Sequence, residues 1–149
     1  MRKGTTMNAY SNAASEALLR DVSLSNGFNA WLDVELIAAG NGQVDIALPV
    51  RAELLQHHGF VHGGVVGALA DIACSWAAAT AAGDIVTSSY TLQFLAPAQA
   101  PRLRATASVV KAGKRQVTVE AKIYAEPDNA APKLVALALA SIAPISPGG

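Results

Sequence analysis

Gln56-His57-His58-Gly59-Phe60-Val61-His62-Gly63-Gly64 is a loop dense in imidazole and glycine, and it runs into Val65-Val66-Gly67-Ala68-Leu69-Ala70-Asp71-Ile72-Ala73-Cys74-Ser75-Trp76-Ala77-Ala78-Ala79-Thr80-Ala81-Ala82. The second stretch has no proline and consists mostly of helix formers, which predicts a long helix whose N-terminus emerges from the loop. The first backbone N–H groups of a helix have no partner within it, and the macrodipole favours negative charge in front of them. Gly63 and Gly64 lack a Cβ, so a ligand carbonyl can approach those donors closely.

Helical geometry divides this segment into two faces. Val65, Leu69, Ile72 and Trp76 fall in one narrow stripe, the face expected to be buried. Gly64, Gly67, Asp71, Cys74, Ser75, Ala78 and Ala82 form the far side, where every residue is small and Asp71 is the only charge. A carboxylate among small residues is costly to bury unless it has partners or chemistry to perform.

The rest of the chain sets the bounds. Its 149 residues suit one domain, expected over 1–149 with an N-terminal helical segment at 1–27 and a frayed tail at 144–149. The apolar fraction is 52% and the charged fraction 15%, which suggests surface buried between subunits. A formal net charge of zero gives no electrostatic reason to expect nucleic acid or an anionic membrane as partner. With Cys74 as the only cysteine there is no intrachain disulfide and no CxxC pair. Met1-Arg2-Lys3-Gly4 is basic, but no apolar run follows as a signal peptide requires, so a cytoplasmic home is expected. Residues 63–82 have the length of a membrane span, yet the central Asp71 would cost about 2.5–3.5 kcal/mol on insertion and alanine contributes little apolar gain.

In chain order, 12–20 reads as a short helix that Asn26-Gly27 follows as a break. Residues 31–38 and 44–50 alternate as strands around the hairpin signal Gly40-Asn41-Gly42, and Pro49 closes the second. After the long helix, Gly83-Asp84 marks its exit. A β meander is then expected: strands at 85–95, 103–111, 116–125 and 134–142, with Pro97 and Pro101 ending the first and a turn at 112–115. Two strands, one long helix and four strands predict an α+β fold, a single antiparallel sheet of five to six strands wrapped round the central helix. Its other face would need cover, which subunit pairing can supply.

The order of elements, the segment Gln56-x-x-Gly59-x-x-His62-Gly63-Gly64-x-x-x-x-x-x-Asp71, and Thr87 opening a strand that runs to Phe94-Leu95-Ala96-Pro97-Ala98 resemble the hotdog-fold acyl-CoA thioesterases of the phenylacetate-degradation (PaaI-like) type. The similarity extends from about residue 28 to 143. It implies a homodimer with a continuous sheet, dimers paired into a homotetramer, and an active site across the dimer interface. It also implies an acyl-CoA substrate and no cofactor beyond the CoA that belongs to that substrate. Asp71 matches the catalytic carboxylate, as general base or nucleophile. Gly63 matches the glycine whose N–H polarises the thioester carbonyl. Gln56 matches a position, more often Asn, that holds the carbonyl or the water, with Asp71 coming from the partner subunit. Thr87 matches a Ser/Thr that orients the water, and His62 the histidine that shapes the loop.

The chemistry agrees. Thioester hydrolysis needs oxyanion donors and a base, and a helix N-terminus with a carboxylate two turns on supplies both. Gly63 and Asp71 are eight residues apart, about 12 Å of helix at about 1.5 Å per residue, which is long for one carbonyl to bridge and favours a site shared by two subunits. Gly64, Phe60 and Tyr90 are candidates to line the substrate, and Lys111, Lys114 and Arg115 at a hairpin tip to hold CoA phosphates. Trp76 and Phe94 read as core. His57, His58 and His62 lack a nearby carboxylate and read as loop hydrogen-bonders rather than metal ligands. Cys74 has no positioned base and reads as packing. Two other functions compete: an acyl-thioester dehydratase or hydratase using a histidine, and a non-catalytic acyl-CoA-binding protein.

Overall fold

The computed structural model describes residues 9–145; the basic start at Met1 to Gly4 and the terminal Pro147, Gly148 and Gly149 lie outside them. The elements are α1 (Ala13–Ser23), α2 (Gly27–Leu32), β1 (Glu35–Gly40), β2 (Gln43–Pro49), a 3-10 turn (Ala52–Leu54), α3 (Gly63–Ala82), β3 (Ile85–Phe94), β4 (Arg102–Ala112), β5 (Val117–Glu126) and β6 (Lys133–Pro144).

The six strands form one antiparallel sheet in the order β1-β2-β4-β5-β6-β3, curled round α3. Strand alternation supplies the wall. Leu103, Ala105 and Ala107 on β4, the odd positions Val117 to Ala125 on β5, and Ala136, Ala138, Ala140 and Ile142 on β6 are all buried. Many of these are alanines, so the sheet closes tightly on the helix, while Leu69, Ile72 and Trp76 fill the space between. Each such large side chain contributes roughly 1.5–3 kcal/mol by leaving water. α3 is the one helix among the described residues long and apolar enough to cross a membrane, and it is the core helix of the sheet.

Local chemistry explains the boundaries. Asn12 caps α1, its side chain accepting from Ser15 N–H at 3.0 Å. Asn41 and Gly42, both with positive φ, make the tight β1–β2 turn, and Gly42 N–H donates to Thr80 Oγ1 at 2.8 Å, tying the hairpin to the end of α3. Gly83 caps the C-terminus of α3, its N–H donating to Ala79 O.

The two sheet edges differ. Along β1, Asn12 N–H donates to Ala39 O at 2.9 Å, Ala39 N–H donates to Glu16 Oε1 at 3.3 Å, and Arg20 Nη2 donates to Leu36 O at 3.3 Å. Helix α1 thus covers that edge. The β3 edge has no such cover among the described residues, and most of its residues are exposed.

Several expectations change. Trp31 and Leu32 belong to α2, not a strand, because Arg51 donates to the carbonyls of Trp31 and Leu32 at 2.9 and 3.1 Å and Asp33 ends the helix in a left-handed conformation. The four later strands are not a simple meander: β3 pairs with β6, and residues 95–101 cross to the far side before β4 begins beside β2. That crossing is held by Leu95 N–H to Val135 O, Val61 N–H to Ala98 O and Val50 N–H to Pro101 O, at 2.8, 2.8 and 2.9 Å. α3 is buried nearly all round rather than on one stripe: Gly67, Cys74 and Ala78 of the small face are buried, and Gly64, Ala68, Asp71 and Ser75 form the more open line. Pro144 ends β6 instead of starting a frayed tail. Phe94 is 58% exposed and not core, because it stands at the end of the open edge strand.

Candidate active site

The loop before α3 is closed by its own hydrogen bonds. Gln56 N–H donates to Phe60 O at 2.8 Å, Gly59 N–H donates to Gln56 O at 2.9 Å with Gly59 at φ 85, and Leu55 bridges to Val61. The Gln56 side-chain oxygen accepts from His58 N–H, which leaves the amide nitrogen, Nε2, as the free end of that side chain. His62 caps the helix: its Nδ1 accepts from Gly64 N–H at 2.8 Å and its carbonyl accepts from Val65 and Val66 N–H at 2.9 and 3.2 Å. Among the described residues Gly63 N–H has no acceptor. Gly63 and Gln56 line a cavity of about 460 Å³ whose other walls are Phe60, Val61, Val66, Phe94 and Val135 with the crossing segment from Leu95 to Ala98.

Two turns along the helix, Asp71 is half-buried and its Oδ1 accepts from Thr87 Oγ1 at 2.7 Å. Among the described residues Oδ2 has no hydrogen-bond partner. One turn further, burial first and the Asp71 carboxylate second push the Cys74 thiol from an ordinary 9.0 up to about 12. A thiol so placed stays protonated and is no nucleophile.

Gly63, Gly67 and Asp71 lie one turn apart in a line that β3 follows. The Phe94 ring comes within 3.2 Å of where a Cβ on Gly63 would stand; the Tyr90 hydroxyl and Leu92 come within 3.2 and 3.5 Å of one on Gly67; Thr87 meets Asp71. Alternation alone would not turn both Thr87 and Tyr90 toward the helix. A register shift between Thr87 and Ser89 does so, by leaving Ser88 as a bulge.

A sequence profile described as thioesterase superfamily matches residues 58–131. The acyl-coenzyme A thioesterase PaaI of Escherichia coli is 33% identical over 107 residues, which span 71% of this chain and 74% of that protein. The chain belongs to the thioesterase superfamily. Its six-stranded sheet round one long helix is the hotdog fold, of the PaaI-like type. The solved E. coli PaaI protein from the phenylacetic acid degradation operon superposes with a TM-score of 0.78 at 26% identity, over 89% of this chain and 94% of that one. A thioesterase family protein from Silicibacter pomeroyi superposes at 0.82 with 29% identity, over 89% of this chain and 99% of that one.

In this thioesterase Gln56, Phe60 and Gly63 meet at one cavity, with His62 behind them as the cap, while Asp71 and Thr87 form a separate pair two turns away. The N–H of Gly64 is taken by His62 and is not a free donor. Tyr90 lies over Gly67 rather than in the cavity wall. Lys111, Lys114 and Arg115 are exposed at the β4–β5 tip; the register Ala112–Val117–Ile142–Thr87 brings that tip to the same end of the sheet as Thr87. His57 and His58 have rings 4.0 Å apart and stand outside the cavity lining. Among the described residues no cluster of three His, Cys, Asp or Glu is arranged to hold a metal. Phe94 and the 95–98 segment are cavity walls that sequence reasoning did not assign, as are Val61, Val66 and Val135; for the first group the apolar run ending at Pro97 was the available signal.

Proposed function

We propose that this thioesterase hydrolyses acyl-CoA to free acid and CoA in a site built by two copies of the chain. The observation that carries the reading is the pairing of Thr87 with Asp71 on the same helix line as the acceptor-free Gly63 N–H, beside an open strand edge. Two β3 edges pairing antiparallel about a two-fold axis bring the Thr87 end of one copy next to the Phe94 end of the other. Asp71 of one subunit then stands opposite Gly63 and Gln56 of its partner.

In that arrangement the thioester oxygen lies between Gly63 N–H and Gln56 Nε2, which stabilise the oxyanion as charge develops. Asp71 takes the proton from a water through Oδ2, while Thr87, donating to Oδ1, fixes the carboxylate and offers a lone pair to the same water. Collapse of the tetrahedral intermediate expels the CoA sulfur. Carbonyl polarisation and the base both come from the protein, so no metal or organic cofactor takes part. The exposed cations of the β4–β5 tip, Lys111, Lys114 and Arg115, suit the CoA phosphates. The acyl group is aromatic or a short to medium aliphatic chain, in keeping with the apolar cavity. Exposed Leu137 and Leu139 on the outer sheet face support a second pairing into a tetramer. CoA thioesters are intracellular compounds, in keeping with a cytoplasmic enzyme. A histidine-based dehydratase has less support, since neither His57 nor His58 lines the cavity.

Thiol release across a panel of acyl-CoA esters tests this directly. We expect free CoA to appear with EDTA-treated protein; inactivity that zinc reverses would defeat the mechanism.

A further inference from the structure

We infer that Phe94 sets the upper size of the acyl group, and that the group it admits is uncharged; the inference rests on the thioesterase reading above. Gly63 supplies the donor that holds the carbonyl, so the acyl carbon chain begins beside it. The thioester carbon has two arms. One is the polar pantetheine and nucleotide, which stays in contact with solvent. The other is the acyl group, and the cavity of about 460 Å³ that opens at Gly63 is its natural place. Gln56 is the one polar side chain lining that cavity, with no Lys, Arg or His among its walls. A carboxylate on the acyl group would therefore lose its water without gaining a cation.

Phe94 is the wall nearest the carbonyl that lies outside the packed core. Its ring rests on Gly63, with three ring atoms between 3.2 and 3.9 Å of where a Cβ would be, yet the residue is 58% exposed. Val66, Ala98 and Val135, by contrast, are held in the core. Within one subunit the space beside the carbonyl is thus bounded on one side by packed core and on the other by side chains outside it, of which Phe94 is the one that touches Gly63. Changing that ring changes the room for the acyl chain without opening the core.

The test compares kcat/KM for butyryl-, decanoyl-, phenylacetyl- and succinyl-CoA in the wild type, Phe94→Ala and Phe94→Trp. Phe94→Ala should raise the decanoyl-to-butyryl ratio by roughly tenfold or more, and Phe94→Trp should lower it, the scale that a few methylenes in an apolar pocket command. Succinyl-CoA should be hydrolysed at least about tenfold less efficiently than butyryl-CoA by the wild type. Ratios that stay within about twofold in both variants, while the wild type is active, would overturn the role of Phe94 alone. Succinyl-CoA turned over as well as butyryl-CoA would overturn the uncharged class. A wild type that releases no CoA from any of the four would overturn the thioesterase reading itself. Thermal melting of each variant accompanies the assay, and melting unchanged from the wild type assigns the ratio to the cavity.

Discussion

Asp71→Asn keeps the shape and most hydrogen bonding of the side chain but removes the base, so the rate should fall by about 10²–10⁴-fold with KM little changed. Thr87→Ala removes one hydrogen bond to that carboxylate, a smaller loss of about 0.5–1.5 kcal/mol, or roughly tenfold at most. Steady-state kinetics should rank Asp71→Asn as the more damaging by at least about tenfold in kcat; the reverse order would take the base away from Asp71. Cys74 gives a second test. The folded protein retains the thiol proton between pH 9.0 and about 12, while the unfolded chain releases it above 9.0. The native state then binds more protons than the unfolded one, and stability falls as pH rises through that window. Urea midpoints should decline less steeply above pH 9.0 in Cys74→Ala than in the wild type. Asp71 was legible in the sequence as the single carboxylate on a face of small residues. Phe94 was not, because alternation marks a strand residue but says nothing of whether its strand lies at an edge.

At the scale of elements, two glycines at contacts between elements differ in what an added side chain would meet. Gly67→Ala replaces a mid-helix glycine and should gain about 1 kcal/mol in helix propensity. The new Cβ meets the Tyr90 hydroxyl at 3.2 Å, but that oxygen is the tip of a side chain 42% exposed and can swing aside. The urea midpoint should rise. Gly40→Ala should do the opposite: its Cβ would stand 2.2 Å from the Tyr10 carbonyl oxygen and 2.8 Å from Asn12 Cβ, so α1 must lift from β1. A loss of roughly 1–3 kcal/mol is expected, read as a lower midpoint. The body of helix α3 was legible, since the run of helix formers from Val65 to Ala82 is closed by Gly83; Gly63 and Gly64, read as loop, are its first two residues. The Gly40-Asn41-Gly42 hairpin was equally plain. Helix α2 was hidden, because six residues carry little periodicity and what ends them is Arg51, nineteen positions away from Leu32. The exchange of strand order was hidden too, being decided by where the crossing segment finds hydrogen bonds.

For the whole molecule, the distance between Gly63 and Asp71 along α3 is a claim about assembly. Gln56→Ala and Asp71→Asn proteins, each inactive alone, should recover activity when mixed under conditions that exchange subunits, because a mixed dimer holds one intact site. Absence of recovery despite exchange, followed by mass spectrometry of the intact complexes, would return the site to a single subunit. The composition points to shared surface, and the β3 edge, uncovered among the described residues, is where we propose that it lies. The opposite edge carries a further meaning. A sheet bare on both sides could add copies without limit and grow as a filament. Here α1 and its cap take up Ala39 N–H, Ala39 O and Leu36 O of β1, so two copies joined through β3 as proposed would present a partly covered strand at each end. In the proposed dimer, edge-to-edge growth would stop after one addition, with the eleven residues of α1 as the chain's terminator against polymerisation.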